Sequence, residues 1–87
     1  MNKIEMPTSK ELLEATVNCI RSSGGKATNK QILEWTISTL NLAEPQISAI
    51  RAGNRTELEY RLAWARTSAR KMGLIERSGP SSWSIAK

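Results

Sequence analysis

The stretch TELEYRLAWARTSARKM, residues 56–72, decides the architecture, because its apolar positions repeat with the period of an α-helix. Leu58, Leu62, Ala65, Ala69 and Met72 are spaced four, three, four and three apart. At about 100° per residue they fall in a sector of roughly 80°, one buried stripe. The opposite side carries Thr56, Tyr60, Ala63 and Thr67, flanked by Arg70 and Lys71. Gly73 closes the helix. Leu74 to Arg77 and Trp83 to Ala86 follow as short strand candidates, separated by Ser78-Gly-Pro-Ser-Ser82, which reads as a β-hairpin.

Working back from this helix, two more are expected. Pro7 ends a loose lead-in over residues 1–7, and Thr8-Ser-Lys-Glu11 has the Thr-x-x-Glu form of a capping box. Leu13, Val17 and Ile20, with Leu12 and Thr16 beside them, continue a helix over about residues 9–23 that stops at Gly24-Gly25. Lys26-Ala27 is a short connector able to pair as a minor strand. Thr28-Asn-Lys-Gln31 is a second capping box, and Ile32, Leu33, Thr36, Ile37 and Leu40 line the helix it starts, which fades at Asn41. Glu44-Pro45 opens a short helical turn through Ile47 and Ile50, and Arg51-Ala-Gly-Asn-Arg55 reads as a loop. Three main helices and a hairpin make a mainly α chain with a small β-hairpin: a winged helix-turn-helix, expected as one domain over residues 8–87.

At 87 residues the chain has room for one core, and such a core is marginal unless large side chains anchor it. Trp35, Trp64 and Trp83 are the candidate anchors. Trp83 is read as structural, with Ile85 on the same inward face. Trp64, to one side of the long helix's stripe, is expected to pack on the hairpin or the first helix. Trp35, at the rim of the second helix, suits core or partner contact equally.

The sequence has no His and no Asp. A Ser/His/Asp triad, a histidine base, a His-rich zinc site and an Asp-built two-metal centre all lack their central residue. No Glu is followed two residues later by Lys, so a nuclease-type carboxylate and lysine pair has no local candidate. No catalytic residue, metal or cofactor is expected. Cys19 is the only cysteine, which excludes an intrachain disulfide and suits a reducing, cytoplasmic setting. It is read as a small buried hydrophobe rather than a reactive thiol. The opening MNKIEMPTSKE has no apolar h-region and no stretch nears the roughly 20 apolar residues of a membrane span.

Net charge is +5, and its placement says more than its size. Residues 1–50 carry five basic and five acidic side chains, whereas residues 51–87 carry eight basic against three acidic. That lopsided field suits a polyanion. An α-helix fits the DNA major groove, with basic residues around it on the phosphates. On the long helix, Arg55, Thr56, Glu59, Tyr60, Ala63 and Thr67 are the base-edge candidates. Ala63 lets the helix approach closely, and Glu59 is the acid suited to accept a cytosine amino proton. Lys30, Arg51, Asn54, Arg66, Arg70, Lys71 and Arg77 are the phosphate candidates. Free backbone N–H groups in the helix's first turn are expected to join Arg51, Asn54 and Arg55 there.

Pro7-Thr8 before an amphipathic helix, Arg61-Leu-Ala-Trp64-Ala65-Arg66, Lys71-Met-Gly73-Leu74-Ile75-Glu76 and Trp83-Ser84-Ile85 together resemble the N-terminal winged-helix domain of Mrr-type restriction proteins. The likeness runs from about Met6 to Ala86, and its most specific part is the Trp-Ala-Arg run before Gly-Leu-Ile. The resemblance implies a DNA-recognition module, typically fused ahead of a nuclease that cuts DNA bearing modified bases, with cleavage located elsewhere in the full-length protein. Ser81-Ser82 stands where that family usually has Arg-Gly before the wing aromatic, and Ser68 and Ala69 are smaller than the usual residues. The expected partners are double-stranded DNA, a fused or partner nuclease domain and a second copy of the chain, with no membrane. A protein-docking domain and a free-standing transcription regulator are the competing readings.

Overall fold

Three Thr-x-x-Glu/Gln boxes start the three main helices, and each closes reciprocally. Thr8 Oγ1 accepts from Glu11 N–H while Thr8 N–H donates to Glu11 Oε1, at 3.1 and 2.8 Å. Thr28 and Gln31 repeat the pattern, as do Thr56 and Glu59. In the computed structural model, which describes residues 5–86, these boxes begin α1 (Ser9–Ser22), α2 (Asn29–Thr39) and α4 (Glu57–Lys71). Between α2 and α4 lie a short α3 (Glu44–Ser48) and two small strands, β2 (Ile50–Ala52) and β3 (Arg55–Thr56). The remaining strands are β1 (Lys26–Thr28), β4 (Ile75–Gly79) and β5 (Ser82–Ile85). Most of the expected lead-in, residues 1–4, lies outside the described residues.

The sheet is antiparallel with order β1-β5-β4, so the connector at Lys26 does pair, with Ala27 opposite Trp83. β4 and β5 form the expected hairpin, with Arg77 opposite Trp83 and Glu76 opposite Ser84. Its turn passes through Pro80 and Ser81, and Ser81 takes a φ of 57°, a left-handed conformation uncommon for a residue with a side chain. This is a mainly α, winged-helix-like fold, with β4 and β5 as the wing.

One core holds these elements together. Leu12, Val17, Cys19 and Ile20 of α1 meet Ile32 of α2, Leu58, Leu62, Ala65 and Ala69 of α4, and Ile75 and Trp83 of the sheet. Thr16 and Thr36 are buried among them, and their hydroxyls donate to the Leu12 and Ile32 carbonyls at 2.8 and 2.7 Å. That local bond removes the cost of burying an unsatisfied hydroxyl. Cys19 is buried as expected of a small hydrophobe, and burial pushes its thiol pKa up.

Four local expectations are corrected. Residues 51–55 do not form a plain loop: Ile50 pairs with Thr56 and Ala52 with Arg55 around a Gly53-Asn54 turn in which Gly53 has a φ of 55°. A two-residue Gly-Asn turn is a hairpin signal, and the flanking strands are short enough to hide it. Met72 leaves the buried stripe, at 63% exposed, because α4 ends at Lys71 and Gly73 turns the chain away at φ 77°. On α1 the stripe centres on Leu12 rather than Leu13, which is half-buried. Trp64 is no core anchor, being 56% exposed. The helical wheel carries that answer, since Trp64 stands about 130° from the centre of the buried stripe.

Trp83 is the anchor the sequence suggests. It is 8% exposed, and its indole N–H donates to Asn29 Oδ1 at 2.8 Å. The Asn29 backbone N–H donates to the Ser81 carbonyl at 2.9 Å. Asn29 therefore clamps the first turn of α2 to the wing at two points. Trp35 packs against the core, with its indole nitrogen buried and without a hydrogen-bond partner among the described residues.

Candidate nucleic-acid interface

α4 is seated by its apolar stripe against α1 and the sheet, so Tyr60, Ala63 and Thr67 fall on its outer side, half-buried or exposed. These three, with Arg55 and Trp64, line a shallow hollow of about 340 Å³. Tyr60 and Trp64 meet edge to face at 6.5 Å. The Arg51 guanidinium lies 3.7 Å from the Tyr60 ring centre and that of Arg55 lies at 5.8 Å, both in cation–π range. Thr67 Oγ1 donates to the Ala63 carbonyl at 3.0 Å, which leaves its oxygen's accepting side outward.

Beside this hollow, on the flank of α4 that faces α2, runs a cleft of about 610 Å³. Lys30 and Asn29 enter it from the first turn of α2, Asn54 and Arg55 from the β2–β3 hairpin, and Glu59 and Arg66 from α4, over a floor of Leu33 and Leu62. Arg55 lines both depressions, so they adjoin. Burial, and then the charge of Arg55, pull the Arg66 pKa below the usual arginine value.

The first turn of α4 differs from expectation. Two of its backbone donors are engaged: Glu57 N–H bonds the Ala49 carbonyl at 2.8 Å and Glu59 N–H bonds Thr56 Oγ1 at 3.1 Å. The Thr56 hydroxyl also donates to Glu59 Oε1, at 3.1 Å, so this pair of base-edge candidates is joined in the helix cap. Glu57 gathers Arg61 at 2.7 Å and Arg51 at 3.2 Å, and these cations hold its carboxyl below the usual range.

Not every basic candidate converges. Lys30, Asn54, Arg55 and Arg66 share the cleft, and Arg51 stands against Tyr60. Arg70 and Lys71 are exposed in the last turn of α4, outside both depressions. Arg77 is on β4, with its guanidinium 5.6 Å over the Trp83 ring. Asn29 and Trp64 join the surface although neither was a site candidate. Asn29 follows the Thr28 cap, which places it at the mouth of the cleft, and the wheel angle of Trp64 places it beside Tyr60.

Among the described residues no group of three His, Cys, Asp or Glu side chains stands close enough to hold a metal ion, and no helix is long and apolar enough to cross a membrane. The fold and this surface define a winged-helix-like module with a basic cleft beside an aromatic hollow. The family model of the Mrr N-terminal domain matches residues 9–87, nearly the full length, and the chain belongs to that family. No curated protein and no solved structure matches it.

Proposed function

We propose that residues 8–87 act as one non-catalytic DNA-binding domain, which brings a restriction-type nuclease to duplex DNA in the cytoplasm, with base methylation as a candidate mark. α4 enters the major groove through Tyr60, Ala63 and Thr67, while Lys30 and Arg66 meet phosphates, with Arg70, Lys71 and Arg77 further out; Arg55, a base-edge candidate by sequence, is assigned to phosphate instead because it lines the cleft with Lys30 and Arg66. One observation carries the reading: basic side chains from α2, the β2–β3 hairpin and α4 line a cleft on one flank of the helix whose outward side carries Tyr60, Ala63 and Thr67, and Arg55 borders both. Membership of the Mrr N-terminal family supports it.

Fluorescence anisotropy with short duplexes over a salt series tests this. Six or so phosphate contacts predict an affinity loss of about 1,000-fold between 50 and 200 mM salt. Salt-insensitive or absent binding refutes the proposal. Matched unmodified, cytosine-methylated and adenine-methylated duplexes test the mark, and equal affinities for all three reject it.

A second reading, a protein-docking domain, is favoured by a separate feature. Trp64 and Met72 are well exposed along a groove of about 360 Å³ shared with Leu13 of α1. Docking there is indifferent to salt and spares the basic cleft.

A further inference from the structure

Three cations from three separate elements meet in the α2–α4 cleft: Lys30, Arg55 and Arg66. Their assembly is a tertiary event, since Arg55 adjoins the Thr56 cap of α4 through the chain but Lys30 reaches the cleft only when α2 packs beside that helix. Both ion pairs among the described residues go to Glu57, which does not line the cleft. Glu59 is the acid of the cleft, and its Oε1 already accepts from the Thr56 amide and hydroxyl at 3.0 and 3.1 Å. Arg66 thus sits half-buried beside a second guanidinium, with no carboxylate within ion-pair distance among the described residues. Burial first, and then the charge of Arg55, lowers its pKa.

Apart from the Glu59 carboxylate, the hydrogen-bonding character of the cleft leans towards donors. Lys and Arg only donate. Asn29 has its Oδ1 committed to the Trp83 indole, so its NH₂ is the end left for a ligand. A surface built largely of donors and positive charge suits a ligand of negative oxygens. At about 610 Å³ the cleft is several times larger than a lone phosphate ion, which leaves room for the sugars on either side of a backbone phosphate.

We infer that the α2–α4 cleft is a preformed phosphate site, in which Arg66, Lys30 and Arg55 grip one phosphodiester of a nucleic-acid backbone and Asn29 donates to the same group. This rests on the DNA-binding reading for its source of phosphate, although free phosphate shares the chemistry. Arg66 is the anchor, because its position is unfavourable until an anion arrives.

The test compares the 87-residue chain with Arg66→Met, which keeps the packed stem and removes the charge, and with Arg66→Lys, which restores charge. Arg66→Gln substitutes if the Met variant fails to fold. Thermal unfolding is measured in sodium phosphate and in sodium chloride at equal ionic strength, and duplex binding over a salt series. Phosphate is expected to raise the wild-type Tm by a few degrees, as an anion that binds only the folded state must. Arg66→Met should lose that rise while matching or exceeding the wild-type Tm in chloride, and its duplex salt slope should fall by about one. Arg66→Lys should recover both responses. An Arg66-dependent phosphate shift without duplex binding supports the site and overturns the DNA reading. Duplex binding whose slope is indifferent to Arg66, with no Arg66-dependent phosphate shift, overturns the site and leaves the DNA reading standing.

Discussion

Removing the indole N–H of Trp83 should uncouple the wing from α2 by an amount that the geometry sets. Trp83→Phe keeps an aromatic ring in the core but deletes the 2.8 Å bond to Asn29 Oδ1. A bond of that kind contributes about 0.5–1.5 kcal/mol net, and Asn29 is half-buried, so water can reach only part of the freed oxygen. With some loss of ring volume the expected cost is about 1.5–2 kcal/mol. A chain of this length has roughly 4–13 kcal/mol to spend, and each kcal/mol lowers Tm by about 4–8 °C. The converse change, Asn29→Ala, strands a buried donor and should cost about 1–3 kcal/mol. Urea unfolding followed by circular dichroism on both single variants and the double gives the pairwise term. A coupling of about 1 kcal/mol is expected, since the Asn29 amide bond to the Ser81 carbonyl survives in every variant. Additivity to within about 0.3 kcal/mol refutes the clamp as the link between wing and helix.

Glu57→Gln should tighten duplex binding and steepen its salt dependence by about one, because Arg51 and Arg61 are released from the carboxylate; weaker binding contradicts this. Because Arg61, then Arg51, lower the folded pKa of Glu57, its stabilising contribution is present above the unfolded carboxylate pKa and fades as pH falls through the folded value; urea midpoints against pH should therefore flatten at the acid end in the variant. Cys19, buried with its thiol pKa raised, should resist alkylation at pH 8 in the native chain and react fully in urea, and native labelling at the unfolded rate rejects that burial. Ser81→Gly relieves the left-handed backbone of the wing turn and should raise stability by about 1 kcal/mol, visible as a higher urea midpoint; a lower one shows the turn needs the side chain. Tyr60→Ala should narrow the gap between preferred and random duplexes by about 1–3 kcal/mol, whereas an equal loss on both means that α4 does not read bases.

Local signals reached far in this chain. The Thr8 and Thr28 boxes, the Gly73 stop, the Asn41 exit at a φ of 52° and the strands around Pro80 each depend on a few neighbouring residues. The third box, Thr56 with Glu59, is equally present in the sequence and engages both side chains in the cap. Trp64 is exposed because its angle around α4, and not the size of its ring, decides which side it faces. The β2–β3 hairpin was hidden because strands of two and three residues carry almost no periodicity.

The amino-acid order alone determined where the helices begin and end, which side of α4 is apolar, and that the positive charge lies beyond residue 50, since these are properties of spacing and composition. Only the folded chain decided that Lys30, Arg55 and Arg66 share one cleft, that Asn29 ties α2 to the wing, and that Arg51 rests on Tyr60 beside Glu57. Those meetings join residues from separate elements whose approach is set by packing around a common core, and no local period encodes it.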